Sequence, residues 1–488
     1  MLGAIACALP VIAGWLFLRA FLPALRPRWA ALEFEAAAGG ALGIGAGSAV
    51  YFLLVVAGAA SAATVLAANA LLACAAAAVS WRRGRAGAES AAPARNGFRW
   101  NWALALILAG TFALVISGLA GVSAAAPYGE WDACSIWDLR AKYLASAEWK
   151  NALSPLLERS HPDYPLLLSG FVAMIWKAEG ATPQWAPCVA GFLFLALAAM
   201  LVMSALALVR ATSSALLGGL VLVSSGSFLF LSTMHYADMP LSVYYGIAAA
   251  GILLARARPE IARTALCVSG AAASMAAWTK NEGLLFAVVL MACFLAVEGF
   301  TSGLRRAVAD WRWMALGAAP GLILVAWFKL FLAPAAEPLF NQTAADAVQK
   351  LLDGARYAQI GKALATQAVN LGQPIFHPLL LLVILAVALR FRVPGQCRSA
   401  LLACAASLVV LFAGYCTVYL LTPSDLVWHL QTSVPRLYGQ IWPALLIITF
   451  VALRAPEETS RTEDARPRAP ASRQDSLDNQ ARKRRAKA

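Results

Sequence analysis

The sequence predicts an all-α polytopic membrane protein with about thirteen transmembrane helices. Three observations carry that prediction. Of the 488 residues, 61% are hydrophobic and only 13% charged. Uncharged runs near 20 residues recur along the chain, about the length a helix needs to cross a hydrocarbon core of ~30 Å. Arginines cluster at the ends of alternate runs, the pattern of cytoplasmic loops. A soluble fold would need an all-apolar core far outside ordinary composition.

The runs fall at 3–23, 35–57, 60–80, 101–123, 187–209, 213–234, 239–255, 263–279, 283–300, 313–333, 377–390, 399–421 and 441–453. Arg26 and Arg28, then Arg82, Arg83 and Arg85, Arg210, Arg256 and Arg258, Arg305 and Arg306, Arg390 and Arg392, and Arg454 can all lie on one face. That face is the cytoplasm. The N-terminus is then outside and the C-terminus inside. The apolar stretch 164–176 is only about thirteen residues long. If it crossed, Arg210, Arg256 and Arg258 would face outward, so it reads as a juxtamembrane or re-entrant helix on the outer side.

Four regions follow: an N-terminal three-helix extension over 1–100, a core over 101–335 with a first outer loop at 125–186, a C-terminal membrane region with outer loops over 336–454, and a basic cytoplasmic tail over 455–488. The formal net charge of +14 lies in the short arginine clusters and in that Pro-, Ser- and Arg-rich tail, which fits a disordered segment near anionic lipid and not a nucleic-acid partner. The nine cysteines lie mostly in apolar runs without a CxxC pair. They read as small apolar residues, neither a metal site nor a disulfide framework. The sequence has no Walker A, HExxH or GxSxG motif and no evident inverted repeat with broken helices.

The outer face collects the polar residues, the positions where a membrane protein carries function. Glu130 and Asp132 follow the run ending at 123; either carboxylate could serve as general base toward a hydroxyl, or be a solvated loop acid. Spaced by two, they do not share a helix face. Asp238 precedes Met239 and Pro240 and could cap a helix. Lys280 lies in a hairpin with Asn281 and Glu282, and could meet a phosphate or pair with Glu282. Arg436 follows His429 in a polar segment, 422–443, read as a loop. Its guanidinium suits a phosphate or a rim ion pair. His161 and Asp163 flank Pro162 in "HPDYP", a rigid turn that could be structural. Tyr128, Trp131 and Trp137 could stack on a sugar or anchor the interface.

"WDACSIWDLRAKYL", then "HPDYPLLL", "YADMPL", "WTKNEGLL" and "WHLQTSVPRLYGQIWP", in this order on one face, resemble the GT-C membrane glycosyltransferases, in particular the bacterial branch related to protein O-mannosyltransferases and aminoarabinose lipid A transferases. The resemblance covers about 101–453 and leaves the first three spans without a functional account. It implies a GT-C-like core whose outer first loop carries juxtamembrane helices, in an inner-membrane enzyme working on the periplasmic face. Such enzymes move a sugar from a polyprenyl-phosphate carrier to an envelope glycan, lipid or protein. By this likeness Asp132 is the catalytic base, with Glu130 as near alternative. Asp238 is the acid of the second outer loop. Lys280, Arg436, Arg140 and Lys142 are the cations available to the donor phosphate. His161, Asp163, Tyr164, Asp238, Glu282 and His429 line the substrate cavity. Here a tryptophan separates Glu130 from Asp132, a departure from the plain acid pair. The resemblance names a polyprenyl-phosphate sugar as donor substrate and fixes no cofactor, and a divalent metal is left open. The rival readings are a transporter or flippase of a lipid-linked glycan, which needs no proton acceptor at Asp132, and an inactive GT-C-like scaffold.

In a cysteine-free background, cysteines placed within 128–163 should be labelled by an impermeant maleimide in intact cells, and cysteines placed after Arg454 should not. Labelling of the tail would overturn the topology.

Overall fold

The computed structural model describes residues 1–83, 101–335, 342–371 and 377–458. The described residues form eighteen α-helices: α1 (Leu2–Phe21), α2 (Arg28–Val56), α3 (Ala62–Arg83), α4 (Asn101–Ala125), α5 (Asp138–Ala145), α6 (Leu167–Glu179), α7 (Trp185–Val209), α8 (Thr212–Val223), α9 (Gly226–Phe230), α10 (Asp238–Ala257), α11 (Ala262–Thr279), α12 (Asn281–Ser302), α13 (Leu304–Phe331), α14 (Ala344–Leu352), α15 (Gly354–Val369), α16 (Pro378–Leu389), α17 (Arg398–Leu421) and α18 (Leu426–Ala452). Ten are long and apolar enough to cross a membrane: α1–α4, α7, α10, α12, α13, α17 and α18. The chain is an integral membrane protein. The other three expected spans fall on α8 and α16, of 12 residues each, and on α11, of 18.

Two expected boundaries are corrected. The run 213–234 is not one span. It breaks at Ser224–Gly226, where the Ser225 hydroxyl donates to the Leu371 carbonyl (2.9 Å) and accepts from the Phe228 amide. The segment 422–443 is not a loop. Asp425 caps α18 by accepting from the Trp428 amide (2.8 Å), and the helix runs through Pro435 and Pro443 to Ala452. Polar side chains had disguised a helix that sets one face against protein.

Helix α10 lies at the centre, with its membrane-length window entirely buried. It packs against α7, α11 and α18 and also touches α2 and α17. Helix α6 covers the expected juxtamembrane segment, yet eleven of its 13 residues are buried, under α1, α2, α3, α5 and α7. Most of its residues are apolar, and the protein body covers them. It does not cross. Its first turn meets Ser48 of α2, whose hydroxyl donates to the Leu167 carbonyl (2.8 Å), and its last residue, Glu179, accepts from the Met1 ammonium at the N-terminal end of α1 (2.8 Å).

The first three helices are therefore packed into the body. Glycines 39, 43 and 47 repeat every four residues along α2 and let α1 approach backbone to backbone. A Cβ on Gly43 would lie 2.0 Å from the Pro10 carbonyl oxygen. Tyr244 of α10 donates to the Ala41 carbonyl (2.7 Å), and Tyr51 of α2 to the Leu144 carbonyl (2.9 Å).

Arginines expected on one face share one end of the bundle. Arg258 donates to the carbonyls of Leu208 (3.2 Å) and Arg26 (3.1 Å). Arg83 lies 4.2 Å over the Phe21 ring. Arg210 donates to the Leu453 carbonyl and pairs with Glu458 (3.2 Å). The tail beyond 458, including most of the expected basic extension, and Arg85 lie outside the described residues. Near this end Arg256 joins Glu298 (3.1 Å) and Asp310 (2.7 Å), and Glu298, fully buried, also accepts from Ser302 (2.9 Å) and Ser399 (2.8 Å). Four helices, α10, α12, α13 and α17, meet in this cluster.

Arg256→Met should leave the Glu298 charge buried and unpaired, at a cost of ~3–5 kcal/mol. Glu298→Gln, which keeps hydrogen-bonding capacity, should cost less. Thermal unfolding in detergent checks both, and equal midpoints for wild type and Arg256→Met would contradict the cluster's role.

Candidate active site

The opposite end of the bundle holds the other charges. Asp132 follows α4 and precedes a five-residue π-helical turn, Ala133–Trp137, a local irregularity that re-aims side chains and recurs at functional sites. Asp238 is the first residue of α10 and is fully buried. Lys280 is extended (φ −160°, ψ 160°) in the single-residue break between α11 and α12. Arg436 and Gln440 stand one turn apart in α18, so they share a face.

These four elements converge. Asp132 and Arg436 form an ion pair. The Arg436 guanidinium lies 5.3 Å from the centre of the Tyr236 ring, and its charge is also set against Asp238. Lys280 Nζ donates to Asp238 Oδ1 (3.1 Å) and pairs with Glu282 Oε1 (2.9 Å). Gln440 Nε2 donates to the same Asp238 oxygen (2.5 Å). Tyr415 donates to Gln440 Oε1 (2.8 Å), which orients the amide, and Tyr245, 3.2 Å from the Tyr415 oxygen, donates to the Glu282 carbonyl (3.0 Å). Burial alone would lower the pKa of Lys280, but Asp238 and Glu282 outweigh it and raise the pKa above the usual lysine value.

A second group borders the first. Asp163 takes Lys329 of α13 (3.2 Å) and the Asn281 amide (2.8 Å). His161 stacks on Tyr164, rings 4.6 Å apart. Burial, the leading cause, lowers its pKa, and the charge of Asp163 opposes that shift most. His429 stands in α18 two turns before Arg436, with Nδ1 3.0 Å from Thr422 Oγ1 and its ring edge-on to Tyr419.

The structure thus brings together Asp132, Asp238, Lys280, Glu282 and Arg436, with Asp163, Tyr164, His161 and His429 around them. Glu130 is exposed at the rim, and its amide donates to the Met234 carbonyl (3.5 Å). Arg140 requires a correction. It is fully buried, and its guanidinium donates to the carbonyls of Ala152 (3.1 Å), Pro162 (3.3 Å) and Tyr164 (2.6 Å). Its Nε and Nη2 are spent on the first outer loop, and its Nη1 has no partner among the described residues. Lys142, two residues along α5, is exposed on another face of that helix. Trp137 is buried core, while Tyr128 and Trp131 are exposed.

Sequence reasoning missed Gln440, Tyr236, Tyr245, Tyr415, Asn281 and Lys329. Gln440 carried a usable signal, its four-residue spacing from Arg436, once 422–443 is read as helix. Also missed was a separate array in which His235 Nδ1 lies 3.1 Å from Asp138 Oδ2 and His235 Nε2 lies 3.3 Å from Cys188 Sγ. Among the described residues no group of three or more His, Cys, Asp or Glu is placed to hold a metal ion.

No family model matches the chain. No curated protein matches it either. Among solved structures the chain is similar to ArnT from Cupriavidus metallidurans, in its crystal structure bound to undecaprenyl phosphate. The identity is 19% and the TM-score 0.38, over 70% of this chain and 60% of that one. The chain spans less than two thirds of ArnT, and a likeness this distant carries no argument about the site.

Arg140→Met should orphan three carbonyls, each worth about 1–3 kcal/mol, and lower the unfolding midpoint in detergent. Lys142→Gln should leave it unchanged. Equal stability of the two variants would remove Arg140 from the loop's framework.

Proposed function

We propose that the chain is a membrane glycosyltransferase of the GT-C type that moves a sugar from a polyprenyl-phosphate carrier to an envelope acceptor, on the face opposite its arginine-rich end. The observation that carries this reading is the alternation of carboxylates and cations, Asp132–Arg436 and Asp238–Lys280–Glu282, at one end of a helical bundle. Buried charge of this density is costly unless it has a task.

The residues divide the chemistry between them. A lipid phosphate at the site would draw Arg436 away from Asp132 and meet Lys280 beside it. Its own negative charge replaces that of Asp132 as partner of the guanidinium, which binds phosphate through two parallel donors. Asp132 is then free to accept a proton. The acceptor hydroxyl attacks the anomeric carbon, its proton passes to Asp132, and the carbon–oxygen bond to the phosphate breaks. The electron pair leaves with the phosphate, whose developing charge the two cations stabilise. One displacement inverts the anomeric carbon. Asp238, pinned by Gln440 and Lys280, holds the lysine in place. Asp238 Oδ2, Glu282 Oε2 and Arg436 Nε have no hydrogen-bond partner among the described residues, so they retain capacity for substrate.

Asp132→Asn keeps the shape and removes the proton acceptor. In proteoliposomes supplied with a polyprenyl-phosphate sugar, transfer should fall by about 10²–10⁴-fold, and Glu130→Gln should have the smaller effect. Full activity of Asp132→Asn would take the base away from this residue. Movement of lipid-linked glycan across the bilayer without any transfer would favour a flippase.

A further inference from the structure

The Cys188–His235–Asp138 array lies outside the ion-pair centre and has no part in the transfer chemistry. Cys188 sits in the first turn of α7 and is half-buried, between Trp185 and Val189, which are 37% and 39% exposed. His235 is buried in the turn before α10 and adopts a left-handed backbone (φ 57°), uncommon for a residue with a Cβ. Non-glycine residues held there mark places where the surroundings fix a side chain against local preference. That backbone sends Nε2 to the Cys188 sulfur and Nδ1 to Asp138 Oδ2, at 3.3 and 3.1 Å. The order is nucleophile, base and orienting carboxylate, each within hydrogen-bond reach of the next. Burial opposes a charge on His235, but Asp138 and Cys188 together outweigh it and make the ring a stronger proton acceptor. The other eight cysteines are also free. Cys134, close by and exposed, donates to the Tyr128 carbonyl (3.4 Å).

We propose that Cys188 is a covalent modification site, a thiol activated by His235 and Asp138 that takes small-molecule disulfides. The sulfur gives its proton to His235 Nε2 and attacks one sulfur of the disulfide RSSR. The RS–SR bond breaks as the Cys188–SR bond forms, and the departing RS⁻ takes the proton to leave as RSH. The protein thiol is oxidised and the reagent reduced. The site borders the active centre. The Met234 carbonyl accepts from the amide of Glu130, two residues before Asp132, and Tyr236, under Arg436, follows His235 directly.

The test uses the full-length protein in detergent with 4,4′-dithiodipyridine, and peptide mass mapping to time modification of Cys188 and Cys134 separately. Cys188 should react faster than Cys134 although it is the less exposed. His235→Asn, a residue type that tolerates the left-handed backbone, should slow Cys188 at least ~10-fold and leave Cys134 unchanged. Asp138→Asn should slow Cys188 by less. Elution as a single symmetric peak on size exclusion confirms that each variant is folded. Slower reaction of Cys188 than of Cys134 in the wild type, or an unchanged Cys188 rate in both folded variants, would overturn the assignment.

Discussion

A carboxylate with no solvent exposure opens the most deeply buried helix of the protein, and much of the centre is arranged to neutralise it. Asp238 is held by Lys280 from the α11–α12 break and by Gln440 from α18. An uncompensated charge there would cost several kcal/mol, so α10, α12 and α18 are tied to one another by electrostatics as well as by packing. Tyr415 and Tyr245 extend the tie by fixing the Gln440 amide and reaching the Glu282 carbonyl. The position of Arg436, one turn before Gln440, follows from the same helix. A centre of charges has in this way become a matter of helix register.

The two ends of the bundle use the same physics differently. At the arginine-rich end, Arg256, Glu298 and Asp310 satisfy one another with help from Ser302 and Ser399, which is the pattern of a structural clamp. At the other end, acceptor oxygens of Asp238 and Glu282 and a donor nitrogen of Arg436 remain without partners among the described residues. Within these two clusters the closed network holds the fold, and the open one retains donors and acceptors for a ligand.

Much of this was legible in the sequence. Apolar run length predicted about thirteen spans, of which ten are helices of membrane length, and the alternation of arginines put Asp132, Asp238, Lys280, Glu282 and Arg436 on one face. What failed were the places where a local pattern meets a tertiary override. Polar residues in 422–443 hid the helical spacing that joins Arg436 to Gln440. Arg140 read as an available cation because carbonyls that would capture it from 12 and 22 residues away cannot be seen in a local window. The cover over α6 was not visible because the helices that supply it, α1–α3, come from a distant part of the chain. The Cys188–His235–Asp138 array joins three segments with no shared motif, and the cysteine taken singly looks like any small apolar residue.

The central claim is that Arg436 changes partner from the Asp132 carboxylate to a lipid phosphate, which Lys280 meets while Asp238 holds it in place. Binding of a sugar-free polyprenyl phosphate, followed by native mass spectrometry of the wild type, Lys280→Gln and Arg436→Gln, tests it most directly. The account predicts saturable binding to the wild type. Each substitution should weaken it by about 10–150-fold, the worth of one charge-assisted contact of ~1.5–3 kcal/mol. Wild-type protein that binds no polyprenyl phosphate, or both variants binding as tightly as the wild type, would contradict it.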